Sequence, residues 1–416
     1  MRNTSFAQKS ATLAAAVTLL TGFAVTAAVA QTPAPTPAPA PAPAPAATPP
    51  PNYKIQYNGL IDGYFLYDFA DSSSKGLPNG SYLPGDNSYA IRADTPTLAL
   101  AELNVLKNAK PNNLGFKTTL QVGDTTAVDH LALSSVGAPT PNRESRYDAI
   151  QQLYGTYTIG GNGAGIDFGK FYTPFGYEVV EANGNNNYTR SLPFFFLPVY
   201  HTGLRAYTPN MKGLTLTGIV ANSLYNTATS GVSDDTNSDK AFVGSLNYTD
   251  PKGKYVFITT DGYSKDKYNV NADSVDDSGE SKIFLSDNDL TYNATSTVSF
   301  GGNFEYGQFD QSHNNNKEYG YAGYAKDQFT PKQAISARFS AEDVKYDGDT
   351  GLKEAKPNEV TVTYEYKPAG NFTTRLEYRH DSVNGGNGAG IAFADSNGNI
   401  NKSSQDMVII AGLFTF

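Results

Sequence analysis

The chain has 416 residues, with 31 Lys and Arg against 40 Asp and Glu and a formal net charge of −9, a balance that argues against nucleic acid as a partner. It has no cysteine, so neither a disulfide framework nor a thiolate metal site is available. With 28 Tyr, 23 Phe and 39 Gly and no Trp, the composition is that of an aromatic chain of strands and turns.

The N-terminus reads as a secretory leader over residues 1–30. Arg2 and Lys9 are basic, Ala11 to Ala28 is an apolar run of small residues, and Ala28-Val29-Ala30 is an A-x-A site before Gln31. The run is too short and too weakly apolar for a membrane anchor, which needs about 20 residues. Removal of the leader leaves 29 basic against 40 acidic residues, a net of −11. Residues 31–51 alternate Pro and Ala and predict an extended polyproline spacer reaching roughly 60 Å at about 3.1 Å per residue. A solvated periplasmic spacer is the first reading and a contact with cell wall or a partner the second.

No later stretch is continuously apolar over the length of a spanning helix, so a membrane role requires a barrel, the other fold that satisfies every backbone group in lipid. From Tyr53 onward the chain divides into period-two segments separated by alternating short and long gaps. The short gaps carry turn residues: Asn108 to Asn113, Gly160 to Gly165, Pro209 to Gly213, Asp250 to Gly253, Asn293 to Ser296, Asp327 to Lys332, and Lys367 to Asn371. The long gaps are polar: Ser72 to Pro96, Asp124 to Asp148, Tyr172 to Tyr200, Leu224 to Lys240, Tyr263 to Ile283, Asp310 to Lys317, Asp347 to Pro357, and Ser382 to Ser404. Fifteen connections join sixteen strands, which predicts an all-β fold over residues 52–416. The expected architecture is a transmembrane antiparallel β-barrel with short periplasmic turns and long extracellular loops.

Fourteen or eighteen strands are the alternatives, because parity is ambiguous over Tyr255 to Gly262 and Phe284 to Tyr292. Elsewhere the two faces separate cleanly. Phe116 and Leu120 oppose Lys117 and Gln121, and Val362 and Tyr364 oppose Thr363 and Glu365, which assigns the first of each set to lipid and the second to the lumen. The last strand alternates Val408, Ile410, Gly412, Phe414 and Phe416 against Ile409, Ala411, Leu413 and Thr415 and ends on an aromatic. This is the expected contact for the barrel-assembly machinery. Tyr64, Tyr67 and Phe69 at one end of the wall and Phe414 and Phe416 at the other are the predicted aromatic girdle.

After the fifth predicted strand the chain reads Gly169-Lys170-Phe171-Tyr172-Thr173-Pro174-Phe175-Gly176-Tyr177-Glu178, followed by Asn187-Tyr188-Thr189-Arg190-Ser191. This resembles the OmpL-like β-barrel porin family, whose members carry a G-K-F-x-T-P-F-G-x-E segment and then an Asn-Tyr-Ser/Thr-x-Ser stretch. The resemblance implies an outer-membrane diffusion channel; it transfers no substrate and no catalytic residue. The residues themselves read as a junction between strand and constriction, with glycines allowing close backbone approach and Pro174 ending the ladder.

The gap from Tyr172 to Tyr200 is the longest and contains Pro193-Phe194-Phe195-Phe196-Leu197-Pro198, which would be costly on a water-facing loop and is expected to fold inward against the wall. Glu178 and Glu181 then become the acids of the narrowest point, with Lys117, Arg205, Arg338, Arg375 and Arg379 as bases facing them across a water-filled gap. The bland alternative is that these are unrelated, solvated lumen charges.

Four histidines stand in no metal-ligand or nucleophile spacing, so no catalytic residue, cofactor or metal is assigned. The acidic stretches at Asp234, Asp276, Asp347 and Asp395 complete no calcium-loop pattern. The functional expectation is a porin of the bacterial outer membrane passing small hydrophilic solutes or ions by passive diffusion. The alternative is a non-conducting structural or adhesive barrel. Its partners would be outer-membrane lipid, the assembly machinery, small solutes and, as for many diffusion porins of this size, two further copies in a homotrimer.

Overall fold

The structure is a computed structural model that describes residues 53–69, 89–90, 92–126, 149–224, 239–267, 280–311, 314–345, 354–384, 393–394 and 400–416. The leader 1–30, residues 31–51 of the spacer, and the acidic stretches near Asp234, Asp276, Asp347 and Asp395 lie outside the described residues.

Alternating sequence produces an antiparallel meander. Its first half comprises β1 (Gln56–Asp68), β2 (Pro96–Lys107), β3 (Leu114–Val122), β4 (Ile150–Ile159), β5 (Ala164–Tyr172), β6 (Tyr200–Tyr207), β7 (Leu214–Ala221) and β8 (Ala241–Thr249). The second half comprises β9 (Tyr255–Lys267), β10 (Glu280–Asn293), β11 (Val298–Gln311), β12 (Asn314–Thr330), β13 (Gln333–Lys345), β14 (Glu354–Ala369) and β15 (Phe372–Asn384). Two short strands, β16 (Phe393–Ala394) and β17 (Ile400–Lys402), pair only with each other, and β18 (Ser404–Thr415) completes the wall. Each wall strand pairs with its neighbours in sequence, and β18 pairs with both β15 and β1, so sixteen strands form one closed barrel.

The closure is made by backbone and by one ring. Gly59 and Phe416 exchange both ladder hydrogen bonds, at 3.0 and 3.1 Å, and the Phe416 ring lies where a Cβ on Gly59 would stand, at 2.3 Å. A C-terminal aromatic therefore packs on a glycine of the first strand. The wall is uneven in height. Strands β3 and β6 have 9 and 8 residues, whereas β12 and β14 have 17 and 16.

Three sequence expectations change. The gap expected over Asp310 to Lys317 is mostly ladder, with Asp310 paired to Asn315 and Gln308 to Lys317. Likewise β9 and β10 extend to Lys267 and Glu280 into the gap expected from Tyr263. Ladder hydrogen bonds use only the backbone, so strands continue past the lipid band with polar side chains still hydrated. Tyr64 is not a girdle residue. It points inward, is 4% exposed, accepts a hydrogen bond from the Arg92 amide at 3.0 Å and packs near Tyr188. Its parity follows Asp62 and Leu66, whereas Tyr67 is half-buried and meets Phe69 edge to face.

The predicted faces appear elsewhere as expected. Leu120 and Val362 are exposed on the outside, while Gln121, Thr363 and Glu365 are buried toward the interior. Period two puts Glu359, Thr361, Thr363 and Glu365 of β14 beside Arg375, Glu377, Arg379 and Asp381 of β15 on the inner face.

Candidate pore constriction

The segment between β5 and β6 leaves the wall at Thr173 and folds inward, with two short 3-10 turns at Ala182–Gly184 and Pro193–Phe196. Pro174 cannot donate to a ladder, and Gly176 takes φ of +100°, a conformation other residues rarely adopt. The chain thereby turns across the lumen, where the Gly176 amide donates to Asp287 of β10 at 2.7 Å.

Aromatic side chains of this loop occupy places vacated by inward-facing glycines. A Cβ on Gly301 would meet the Tyr177 hydroxyl at 2.2 Å, one on Gly307 the Phe196 ring at 1.9 Å, and one on Gly262 the Phe175 ring at 2.9 Å. Tyr177 also stacks on Tyr324 at 4.3 Å, and Phe196 meets Phe309 edge to face at 5.3 Å. Burial raises the Tyr177 phenol above its ordinary pKa, which keeps it a neutral ring against the wall. Of the Phe triplet, Phe194 and Phe195 pack on Tyr89. Three adjacent rings thus find buried partners inside the barrel rather than water.

The polar contacts are concentrated on β13, β14 and β15. Glu178 accepts from Arg338 at 2.8 Å and from the Ser191 amide at 2.7 Å, and Arg338 also donates to Glu359 at 2.7 Å and to the Thr189 carbonyl at 2.5 Å. Arg375 donates to the carbonyls of Ala182, Asn185 and Asn187 while paired with Glu365 at 2.8 Å. Arg379 holds the Arg190 carbonyl at 2.5 Å and Asp381 at 2.8 Å. Glu377 accepts from the Tyr188 and Thr189 amides at 2.5 and 2.9 Å, and Asn187 donates to Thr363 at 2.7 Å. Arg190 folds back onto the carbonyls of Val179, Val180 and Tyr188 within the loop.

At the far end the Tyr188 hydroxyl donates to Asp62 of β1 at 2.9 Å. Burial and the adjacent Asp62 push the Tyr188 phenol well above its ordinary pKa, so it stays a proton donor at any physiological pH. Arg338, Arg375 and Arg379 each serve a wall carboxylate and one or more loop carbonyls at once, which satisfies groups that would otherwise be buried and unpaired.

The seven candidate charges therefore separate into two groups. Glu178, Arg338, Arg375 and Arg379 do not face one another across a water-filled gap; Glu178 pairs directly with Arg338, Arg375 and Arg379 pair with the wall acids Glu365 and Asp381, and all four are almost fully buried beneath the loop. A guanidinium under a loop is worth more as a fivefold donor to loop carbonyls and wall acids than as a free charge, which explains the departure. Lys117, Glu181 and Arg205 keep part of their surface. Glu181 accepts from the Tyr172 hydroxyl at 2.8 Å and interacts with Glu102, which Lys117 also approaches. Arg205 pairs with Asp167 at 2.7 Å, packs on Phe171 and Tyr154, and leaves its side chain 21% exposed.

In the motif, Gly169 takes φ of +135°, Lys170 lies over the Tyr200 ring and donates to the Ile150 carbonyl, Phe171 is fully buried, and Thr173 bonds His201 at 2.9 Å. The inward glycines and the acids Glu359, Glu377 and Asp381 were not singled out from sequence. Their signal is the inner-face parity of β9, β11, β14 and β15.

The family model described as "Putative beta-barrel porin-2, OmpL-like" matches residues 54–416. The chain belongs to this OmpL-like porin family. It is a protein of the bacterial outer membrane. No curated protein sequence matches it. Among solved structures it is similar to OmpT of Vibrio cholerae in its trimer form, at 11% identity and TM-score 0.55, covering 87% of this chain and 99% of that one. It is also similar to the anion-selective porin from Comamonas acidovorans, at 10% identity and TM-score 0.54 over 87% and 99% of the two chains. The outer membrane channel DcaP of Acinetobacter baumannii matches at 11% identity and TM-score 0.54 over 87% and 97%. At such identities these likenesses establish the fold of this OmpL-like porin and nothing finer.

Proposed function

We propose that this OmpL-like porin is a passive channel for small hydrophilic solutes and ions, with the aqueous path running between the free edge of the inward loop and the wall of β2 to β6. The carrying observation is the division of charges: those pinning the loop are buried, whereas Glu181, Lys117 and Arg205 retain solvent exposure. Acids and bases of both signs beside water orient it and favour polar solutes over apolar ones. Channel function is also what the porin family of this chain supports.

Assembly would proceed through recognition of β18 with its terminal Phe416, and a homotrimer in outer-membrane lipid is the assembly in keeping with the trimer form of the Vibrio cholerae OmpT structure. Planar-bilayer recording on refolded protein tests the conduction. Steady single-channel steps support it. Silence supports the reading as a structural or adhesive barrel, which the full burial of Ser340, Thr361 and Thr363 beneath the loop favours.

A further inference from the structure

The inward loop is held on two flanks, and they differ in charge. On β13 to β15, arginines stand between loop carbonyls and wall acids. On β10 and β11 the loop meets carboxyl groups whose charged neighbours are themselves acids. Asp287 accepts from the Gly176 amide at 2.7 Å and from the Asn303 side-chain amide at 2.7 Å, and that same amide donates to Asp289 at 2.8 Å. The ladder sets Glu305 opposite Asp287 and Asn303 opposite Asp289, so period two turns all four side chains to the interior.

Two oxygens in this group have no hydrogen-bond partner: Oδ2 of Asp289 and Oε2 of Glu305, on residues only 4% and 1% exposed. The Glu305 carboxyl lies over Gly320, where a Cβ would stand 3.4 Å from its Oε2 and 3.0 Å from Pro193 of the loop. The charged groups nearest to it are Asp287, Asp289, Glu342 and Glu318. A buried carboxylate with neither donor nor base is strongly unfavourable, and it needs a positive group that this chain's own side chains do not supply there.

We propose that Asp289 and Glu305 bind a hard divalent cation, Ca²⁺ or Mg²⁺, beneath the loop. Carboxylate oxygen is the ligand such ions prefer. Among the described residues no three acidic or histidine side chains are spaced to grip one ion. The ion therefore takes two carboxylate oxygens from the wall and completes its sphere with water or backbone carbonyls. Its double charge balances the two carboxylates that lack partners, while Asp287, already filled by two amide donors, connects their surroundings to the turn of the loop at Gly176. The cation is thus the counterpart on β10 and β11 of the arginines on β13 to β15. The inference concerns how the loop is fixed, so a non-conducting barrel would leave it standing.

Full-length protein refolded in detergent without lipopolysaccharide and stripped with EDTA allows a direct test. Tb³⁺ substitutes for Ca²⁺ and luminesces when excited through a nearby phenol, and the stacked pair Tyr177 and Tyr324 neighbours Asp289 and Glu305. Saturable luminescence from one Tb³⁺ per chain is expected, displaced by Ca²⁺ at about 10⁻⁴ to 10⁻³ M, the range of sites with few charged ligands. The urea midpoint of the compact band should be higher in Ca²⁺ than in EDTA. Glu305→Gln and Asp289→Asn each remove one ligand charge and should assemble as barrels, seen by heat-modifiable migration. Each should weaken Tb³⁺ binding by about tenfold or more and make the midpoint indifferent to Ca²⁺. Asp343→Asn, which changes an acid paired with Lys345 away from the site, should keep both responses. Absence of saturable luminescence with equal midpoints in Ca²⁺ and EDTA would mean that the two carboxyls carry protons, and would overturn the assignment. So would a Ca²⁺ response that survives both substitutions, since the ion would then bind elsewhere.

Discussion

Glu178 and Arg338 are 160 residues apart in the chain and meet at 2.8 Å, with both side chains buried. The contact joins the first acid of the inward loop to the wall strand β13, and Arg338 is shared with Glu359 on β14 at 2.7 Å. One guanidinium therefore stands between two carboxylates, neither of which is ion-paired with another base among the described residues. The loop is fixed to the wall by charges whose separation is costly rather than by apolar packing alone.

Arg338→Met retains most of the side-chain volume and strands Glu178 and Glu359 in a buried site. Breaking a buried pair from one side costs about 3–5 kcal/mol. The expected result is a lower urea midpoint for the compact band on unheated gels and noisier single-channel current. Adding Glu178→Gln to Arg338→Met should recover part of the loss, because it removes one of the two stranded charges. Additive losses would show that the two residues do not act as a pair.

The glycine seats make a second prediction. Gly307→Val and Gly301→Val place carbon where the Phe196 and Tyr177 rings lie, so each ring must move off the wall. Barrel assembly should survive, since strands tolerate valine well, while the loop shifts and the conductance of the channel changes. The matched outward substitution Gly302→Val meets nothing within 4 Å and should leave conductance as it is. Equal behaviour of Gly301→Val and Gly302→Val would remove the seat from the account.

Much of this architecture was legible in the alternation itself. The fifteen connections are evident because turn residues punctuate period-two segments, and the inner face of β14 and β15 is evident because charges recur every second residue. The loop's polar anchoring was not legible, because Arg338 meets Glu178 only through closure of the barrel, a relation no local pattern encodes. Tyr64 misled for the opposite reason. An aromatic near a strand end reads as girdle, but parity places it with Asp62, and parity outranks residue type when the two conflict.

Deleting Phe416 or changing it to Asp should leave the protein unassembled and protease-sensitive in the periplasm. The ring packs on Gly59, and the residue exchanges both ladder bonds with it, so the seam between β1 and β18 loses its terminal contact. A heat-modifiable barrel of the Phe416→Asp variant in the outer-membrane fraction would separate closure from this contact.

Cysteine labelling divides the inner wall further. Phe116→Cys, Leu120→Cys and Val362→Cys face outward and should resist a charged aqueous maleimide, whereas Lys117→Cys should react. Thr363→Cys points inward but lies under Asn187, so it should react slowly in the parent and quickly once Arg338→Met loosens the loop. Fast labelling of Thr363→Cys in the parent would mean that the loop does not cover this part of the wall.

Ion selectivity separates the two acids that the sequence put together. Glu178 is neutralised at 2.8 Å by Arg338 and buried, so its field is largely cancelled beyond the pair. Glu181 is partly exposed beside Glu102, with Lys117 near, so on the proposed path its charge would act on the water that ions cross. Across a few ångströms such a charge is felt well inside the screening length of about 10 Å at 0.1 M salt. Glu181→Gln should therefore shift the permeability ratio toward anions, and Lys117→Gln or Arg205→Gln should shift it toward cations. Glu178→Gln should change gating noise more than selectivity, since it weakens the hold on the loop without altering the charge that faces the path. Reversal potentials in a salt gradient read each shift. If Glu178→Gln moves the ratio further than Glu181→Gln does, ions pass on the β13 side of the loop and the path beside β2 to β6 is wrong.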